Sequence, residues 1–162
     1  MAILNPSEIF YTAFEPKQSN RFIVYMDGIP AYLVKGVSGV KLEQTAVVLN
    51  HMNVQRFVKG KTKWSSLDFT LFESITPSGA QAVMEWVRLG HESVTGRDGY
   101  SDFYKKDITF NVVGPVGDIV SEWIIKGAVI TNVDFGDYNY DDDGVAVNIK
   151  VTVQPDYCVL NF

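Results

Sequence analysis

Val145, Val147, Ile149, Val151 and Val153 alternate with Ala146, Asn148, Lys150, Thr152 and Gln154. A period of two puts the aliphatic side chains on one face of an extended chain and the polar ones on the other. The run therefore predicts a half-buried β-strand. Directly upstream lies DFGDYNYDDDGVAV, residues 134–147, in which five aspartates and one asparagine lead up to and flank the turn at Gly144.

Two readings compete for that stretch. A calcium-binding helix–loop–helix needs oxygen ligands at loop positions 1, 3 and 5, glycine at 6 and a bidentate Glu at 12. Asn139, Asp141, Asp143 and Gly144 fill the first four, but position 12 is Lys150, a cation where the metal needs two oxygens. A strand pattern also follows where the motif needs a helix. Asp143-Gly144 is therefore read as a hairpin turn, since glycine takes positive φ at little cost, and no metal ligand is assigned.

Other segments carry the same period. Leu67, Phe69 and Leu71 alternate with Asp68, Thr70 and Phe72. Phe22, Val24 and Met26 share a face before Asp27-Gly28. With a second strand at Tyr32–Lys35, residues 20–36 are expected to form a hairpin. Strands are also expected near Ile108–Val113 and Glu122–Phe135, joined through Gly114-Pro115 and Gly117-Asp118. Residues 37–64 are rich in β-formers but have few turn signals between Leu42 and Lys59. Such a segment is a functional loop or a pair of projecting strands.

One stretch has helical period: Ala80, Val83, Met84 and Val87 fall at i, i+3, i+4 and i+7. Ser78 and Gln81 fit a capping box, with Thr76-Pro77 as a rival start, and Gly90 is a suitable stop. The helix is placed at Ser78–Leu89 and is expected to plug the open end or side of a barrel. The fold class expected is mainly β, an antiparallel β-barrel or sandwich of about seven strands with one flanking α-helix. Residues 1–162 read as a single domain. Residues 1–19, with Pro6 and Pro16, are an N-terminal arm, and 37–64 an extended element for inter-subunit contacts.

Composition narrows the function. The chain is long enough for one full core, and 46% hydrophobic residues argue against disorder. Only 20% of residues are charged, against about 25% in an average chain. Either this is ordinary scatter or partner subunits cover much of the surface. Nineteen acids against fourteen bases, a net charge of −5, oppose a nucleic-acid grip, which needs Lys and Arg to neutralise phosphates. The same balance suits a wall that nucleic acid slides past. The lone cysteine, Cys158, makes no internal disulfide. MAILNPSEIF carries no basic leader, and no apolar run is long enough to span a bilayer, so neither a secretory signal nor a membrane anchor is expected.

Motifs for chemistry are sparse. VKGKTKW contains Gly-Lys-Thr, but the glycine of a phosphate loop would fall at Gln55, and the surroundings are strand-like. His51, His91 and Cys158 stand singly, without metal-ligand spacing, although a Cys–His pair formed in space stays open. No G-x-S-x-G is present. No catalytic, cofactor-binding or metal residue is assigned, and an enzyme is not expected.

Charge asymmetry is more informative. Arg56, Lys59, Lys61 and Lys63 lie in the long β-rich segment, and its three lysines project to one side if it is extended. Asp134, Asp137, Asp141, Asp142 and Asp143 gather at the late hairpin. These are two solvated patches, or one subunit's basic strand meets another's acidic loop. The candidate inter-subunit contacts are the apolar Val47, Leu49, Met52 and Val54 with the basic Arg56, Lys59, Lys61 and Lys63. Their acidic counterparts are Asp141, Asp142 and Asp143.

The segment WIIKGAVITNVDFG, the acidic turn after it and the strand ending at Asp156-Tyr157 together resemble the tail tube proteins of contractile bacteriophages. WSSLDFTLFES followed by the helix with MEWV fits the same pattern. The resemblance covers residues 20–160 in order and does not extend to the arm. It implies hexameric rings stacked into a hollow tube inside a sheath, with neighbouring sheets joined around a channel through which the genome is ejected. It implies a virion location, assembly in the host bacterial cytoplasm, and no cofactor. The partners implied are other copies of the chain, the tail sheath, baseplate and tail terminator proteins, the tape measure protein, and transiently DNA in the lumen. The type VI secretion tube protein shares the fold. The alternatives are a secretion-type tube, another tail component such as a terminator or baseplate hub, and a barrel holding a small apolar ligand.

Overall fold

One long strand, β7 (Ile119–Asp134), serves two sheets. The computed structural model describes residues 14–162, so most of the expected N-terminal arm lies outside the described residues. Before β7 come β1 (Phe22–Met26), a 3-10 turn (Ala31–Leu33), β2 (Val34–Val37), β3 (Leu42–His51), β4 (Val54–Trp64) and β5 (Leu67–Phe72). Helix α1 (Gly79–Gly90), the single turn α2 (Ser101–Tyr104) and β6 (Lys106–Val113) follow, and β8 (Asn148–Gln154) and β9 (Tyr157–Leu160) come after β7. Among the described residues, seven strands form an antiparallel sheet system in the order β1-β6-β7-β8-β5-β2 with β9 also on β7, while β3 and β4 pair with each other alone.

The change of partner follows a β-bulge at Lys126-Gly127, opposite Asp107. As far as Ala128, β7 pairs with β6; from Val129 to Asp134 it pairs with β8. Gly127 sits at φ 63, which glycine reaches without a steric penalty. The opposite strand breaks at the same level. Gln154 faces Val129 and Tyr157 faces Lys126, so β8 and β9 are one ladder interrupted at Pro155-Asp156. Proline has no N–H to give, which suits the break.

Lysine–aspartate pairs fix this corner. Asp107 accepts from Lys126 Nζ at 2.8 Å and from the Gly127 amide at 3.2 Å. Asp156 accepts from Lys105 Nζ at 2.8 Å, and its own amide donates to the Lys126 carbonyl at 3.0 Å. The Lys126 ammonium, helped by the Gly127 amide, holds the Asp107 carboxyl below its usual range. These groups are solvated, so their contribution is more to geometry than to stability.

The alternating residues fill the core. Leu67, Phe69 and Leu71 of β5, with Ile149, Val151 and Val153 of β8, are buried, as are Ile108, Ile125 and Ala128. Helix α1 covers them with Val83 and Trp86. Ser78 caps the helix, its Oγ accepting from the Gln81 amide at 3.4 Å. The Glu73 carboxylate supplements the cap by accepting from the Ala80 amide at 2.9 Å and the Ser78 hydroxyl at 2.8 Å. Gly90 is the last helical residue rather than the stop; the extended residue after it is His91.

Several expectations need correction. Residues 20–36 are not a hairpin: β1 pairs with β6, and Tyr32 lies in the 3-10 turn that leads to β2, which pairs with β5. Asp27-Gly28 does reverse the chain, but only through the isolated Met26–Ile29 bridge, after which Pro30 and the 3-10 turn carry the chain to β2 beside β5. The sheet system is sandwich-like and not a closed barrel, so α1 packs over it and plugs no barrel end. The β7–β8 hairpin is present, but its connection spans residues 135–147, and regular pairing resumes at Asn148 rather than Val145.

Gly127→Ala tests the corner, with Gly144→Ala as its control. Both positions have positive φ, which costs an L-residue about 1–2 kcal/mol. A Cβ at 144 meets open space, whereas one at 127 runs into the Asp156 carboxylate. Urea melts should show the larger loss for Gly127→Ala. Asp107 supplies a pH test. A lowered folded pKa stabilises above the unfolded carboxylate value near 3.8, and the benefit disappears as pH falls through the folded value. Asp107→Asn should therefore reduce thermal stability at pH 7 and leave the variant and parent alike at the acid end of the titration.

Candidate assembly interface

Strands β3 and β4 form a hairpin that leaves the main sheet. Its register runs from Leu42↔Trp64 at the base to His51↔Val54 at the tip. Ten extended residues span about 34 Å. The base is tied down: the Ser65 amide donates to the Lys41 carbonyl at 3.0 Å, and the Gln154 side chain donates to the Trp64 carbonyl at 2.8 Å. Of the two readings of residues 37–64, the structure has the pair of projecting strands.

The tip explains why the sequence hid it. Closing at His51↔Val54 leaves Met52-Asn53 as the loop, and Met52 adopts φ 52. Tight hairpin loops usually mark such positions with Asn-Gly or Asp-Gly. Here a methionine occupies the first one, so the usual signal is missing.

Register sorts the side chains into two faces. Val47, Leu49, Val54, Arg56 and Val58 share one; Ala46, Val48, Phe57 and Lys59 share the other. Both are solvent-exposed in the single chain, Val47 at 47% and Phe57 at 63%. A two-stranded ribbon with apolar side chains in water on both faces is at best marginally stable alone, and contiguous exposed apolar surface of this kind marks an interaction site.

Gly60 interrupts the alternation. The register passes from Ala46↔Lys59 to Gln44↔Thr62, so Gly60 and Lys61 together oppose Thr45 in a β-bulge. A Cβ at position 60 would lie 2.8 Å from the Thr45 carbonyl oxygen. The bulge overturns the expectation of three lysines on one side. Lys59 lies with Val48 and Phe57, whereas Lys63, opposite Glu43, lies on the Val47 face with Lys61. A glycine inside a strand pattern was the available signal for this.

Asp141, Asp142 and Asp143 sit far along the chain, in the β7–β8 connection, and are exposed. Asn139 organises their turn, its side-chain oxygen accepting from the Asp141 amide at 3.0 Å and its carbonyl from the Asp142 amide at 3.2 Å. Among the described residues, the ion pairs are Lys105–Asp156, Lys106–Asp27 and Lys126–Asp107, and His91 is hydrogen-bonded to Asp98. None uses a hairpin cation or Asp141–Asp143, so a single chain leaves both candidate charge patches open to other molecules.

The groups considered for chemistry are dispersed over separate elements. Cys158 is buried on β9, and loss of solvent pushes its thiol up to about 11. His51 ends β3, and His91 follows α1, where Nδ1 lies 2.7 Å from Asp98.

No protein-family model and no curated protein matches the chain. Solved structures do. A chain of the PVC extracellular contractile injection system sheath–tube complex, in its extended state, superposes with TM-score 0.71 at 15% identity, over 90% of this chain and 91% of that one. The anti-feeding prophage tube-terminating cap gives TM-score 0.75 at 13% identity, over 94% and 95%. Hcp1 from Flavobacterium johnsoniae gives 0.55 at 13% identity, over 87% and 94%. The chain shares their fold.

Gly60→Val should separate hairpin from core. The valine cannot enter the bulge without moving Thr45, yet position 60 lies outside the buried cluster. The thermal midpoint of the domain should change little, while self-association measured by sedimentation falls. A collapse of the midpoint would mean that the hairpin is integral to the core.

Proposed function

We propose that the chain is a structural subunit of a contractile tail, forming stacked hexameric rings of the inner tube, and that it performs no catalytic step. The observation that carries this reading is the projecting β3–β4 hairpin with apolar residues on both faces. That device has no use in a monomer and is an aggregation hazard unless neighbours cover it. The fold shared with the sheath–tube complex and the tube-terminating cap supports the same reading.

In a phage the tube conducts the genome into the host. Its partners are the sheath, baseplate, terminator and tape measure proteins, with DNA passing transiently through the lumen. The subunit then resides in the virion and assembles in the bacterial cytoplasm. The net charge of −5 favours passage of a polyanion without adhesion. A second reading, the tube of an injection or secretion system without a genome, is favoured by the PVC and Hcp1 likenesses.

Electron microscopy of the concentrated protein, alone and with baseplates added, tests the assembly. Sixfold rings or hollow tubes are expected from the parent chain. Removing Val47–Lys59 and closing the gap with a short turn should abolish tubes while leaving a folded, soluble domain. Normal tubes from that variant would refute the role given to the hairpin.

A further inference from the structure

Among the described residues, the second half of β7 has no strand neighbour on the side that β6 covers earlier, because β6 begins at Lys106, opposite Ala128. Beyond that point α1 runs alongside instead, and a cleft of about 590 Å³ opens between them. Met84, Trp86, Val87, Ile130, Val133 and Phe135 give it apolar walls, with the His91–Asp98 pair beside them. Its floor is firm, since the buried Trp86 donates its indole N–H to the Tyr104 carbonyl at 2.7 Å.

Elsewhere on the molecule, Met52 stands at the tip of the hairpin, 93% exposed. An unbranched thioether fills irregular apolar hollows well. Cations follow it along β4, at Arg56, Lys59, Lys61 and Lys63. Acids follow the cleft wall: Asp134 precedes Phe135, and Asp137 and Asp141–Asp143 continue the same connection. An apolar knob trailed by positive charge thus matches an apolar hollow trailed by negative charge.

We infer that the hairpin tip of one copy, led by Met52, docks into the α1–β7 cleft of a second copy, with Arg56 and the hairpin lysines set against that copy's acidic connection. Knob and hollow are different surfaces, so the contact is heterologous. Such a contact closes into a ring or propagates as an open filament according to the rotation between copies; between stacked rings it repeats along the tube, leaving knobs free at one end and hollows at the other. The charges fix the orientation of docking. This inference rests on the tube reading and assigns the contact between successive subunits along the tube.

Paired cysteines test it. Met52→Cys and Phe135→Cys are introduced together, the native Cys158 being buried. Under mild oxidation of the assembled protein, a ladder of disulfide-linked multimers is expected on a non-reducing gel. Each single variant alone should give no ladder, and a mixture of the two singles should give dimers. Met52→Cys with Val116→Cys is the control, because Val116 is 86% exposed in the β6–β7 turn, away from the cleft. Separately, Met52→Glu should lower sedimentable polymer at least tenfold, and Met52→Leu should preserve it. Tubes that form without a ladder, a ladder equally strong in the control, or undiminished polymer from Met52→Glu would overturn this contact and leave the tube reading standing. Failure of the parent chain to form rings or tubes even with baseplates would overturn both.

Discussion

The bend of β7 at Gly127 is the constraint on which the rest of the chain depends. One strand holds β6 and β9 in its first half and β8 in its second, so both sheets take their orientation from it. The partner ladder has to break where β7 bends, and Pro155-Asp156 supplies the break. Asp107 and Asp156 then hold the two bends together, Asp107 by accepting from Lys126 of β7 and the Gly127 amide, Asp156 by accepting from Lys105 just ahead of β6. Exposed ion pairs of this kind add little free energy. Their value lies in choosing one angle between the sheets, which sets the space that α1 covers and the width of the cleft beside it.

Core and hairpin answer to different solvents. In the core, Phe69, Leu71, Ile149 and Val153 are removed from water by their own chain. Each such side chain contributes about 1.5–3 kcal/mol of transfer free energy before ordering entropy is subtracted. In the hairpin, Val47, Leu49, Val48 and Phe57 stay exposed, and among the described residues nothing covers them. The core is thus closed by the described residues themselves, while the hairpin's apolar faces are left uncovered by them. A bulge at Gly60 gives each face its own cations, so the faces differ in charge placement as well as in shape. Such asymmetry suits a subunit whose neighbours are not equivalent.

Some of this was legible in the residues. The period-two runs in β5 and β8, the turn joining β6 to β7, and helix α1 with its Ser78 cap are local patterns, and local patterns read directly. The hairpin of residues 37–64 was half legible. Its β-forming composition showed, but its turn did not, because Met52-Asn53 lacks the glycine that usually marks positive φ. The lysine row at 59, 61 and 63 was misread for a related reason. Strict alternation holds only for an unbroken strand, and Gly60 admits an extra residue. The partner of β1 was not legible either. Asp27-Gly28 predicts reversal of the chain, but β6, some eighty residues later, pairs with β1 because the core face of that strand must meet Ile108 and Ile125.

By itself the sequence determined the β class, the helix and the two opposed charge clusters. Each follows from side-chain period or turn chemistry within a few residues. Tertiary structure decided which strands pair, where β7 changes sheet, how the hairpin's residues divide between faces, and that a cleft opens between α1 and β7. These depend on contacts between residues far apart in the chain, and on backbone irregularities at Met52, Gly60 and Gly127 whose effect is seen only when a partner strand fixes the register.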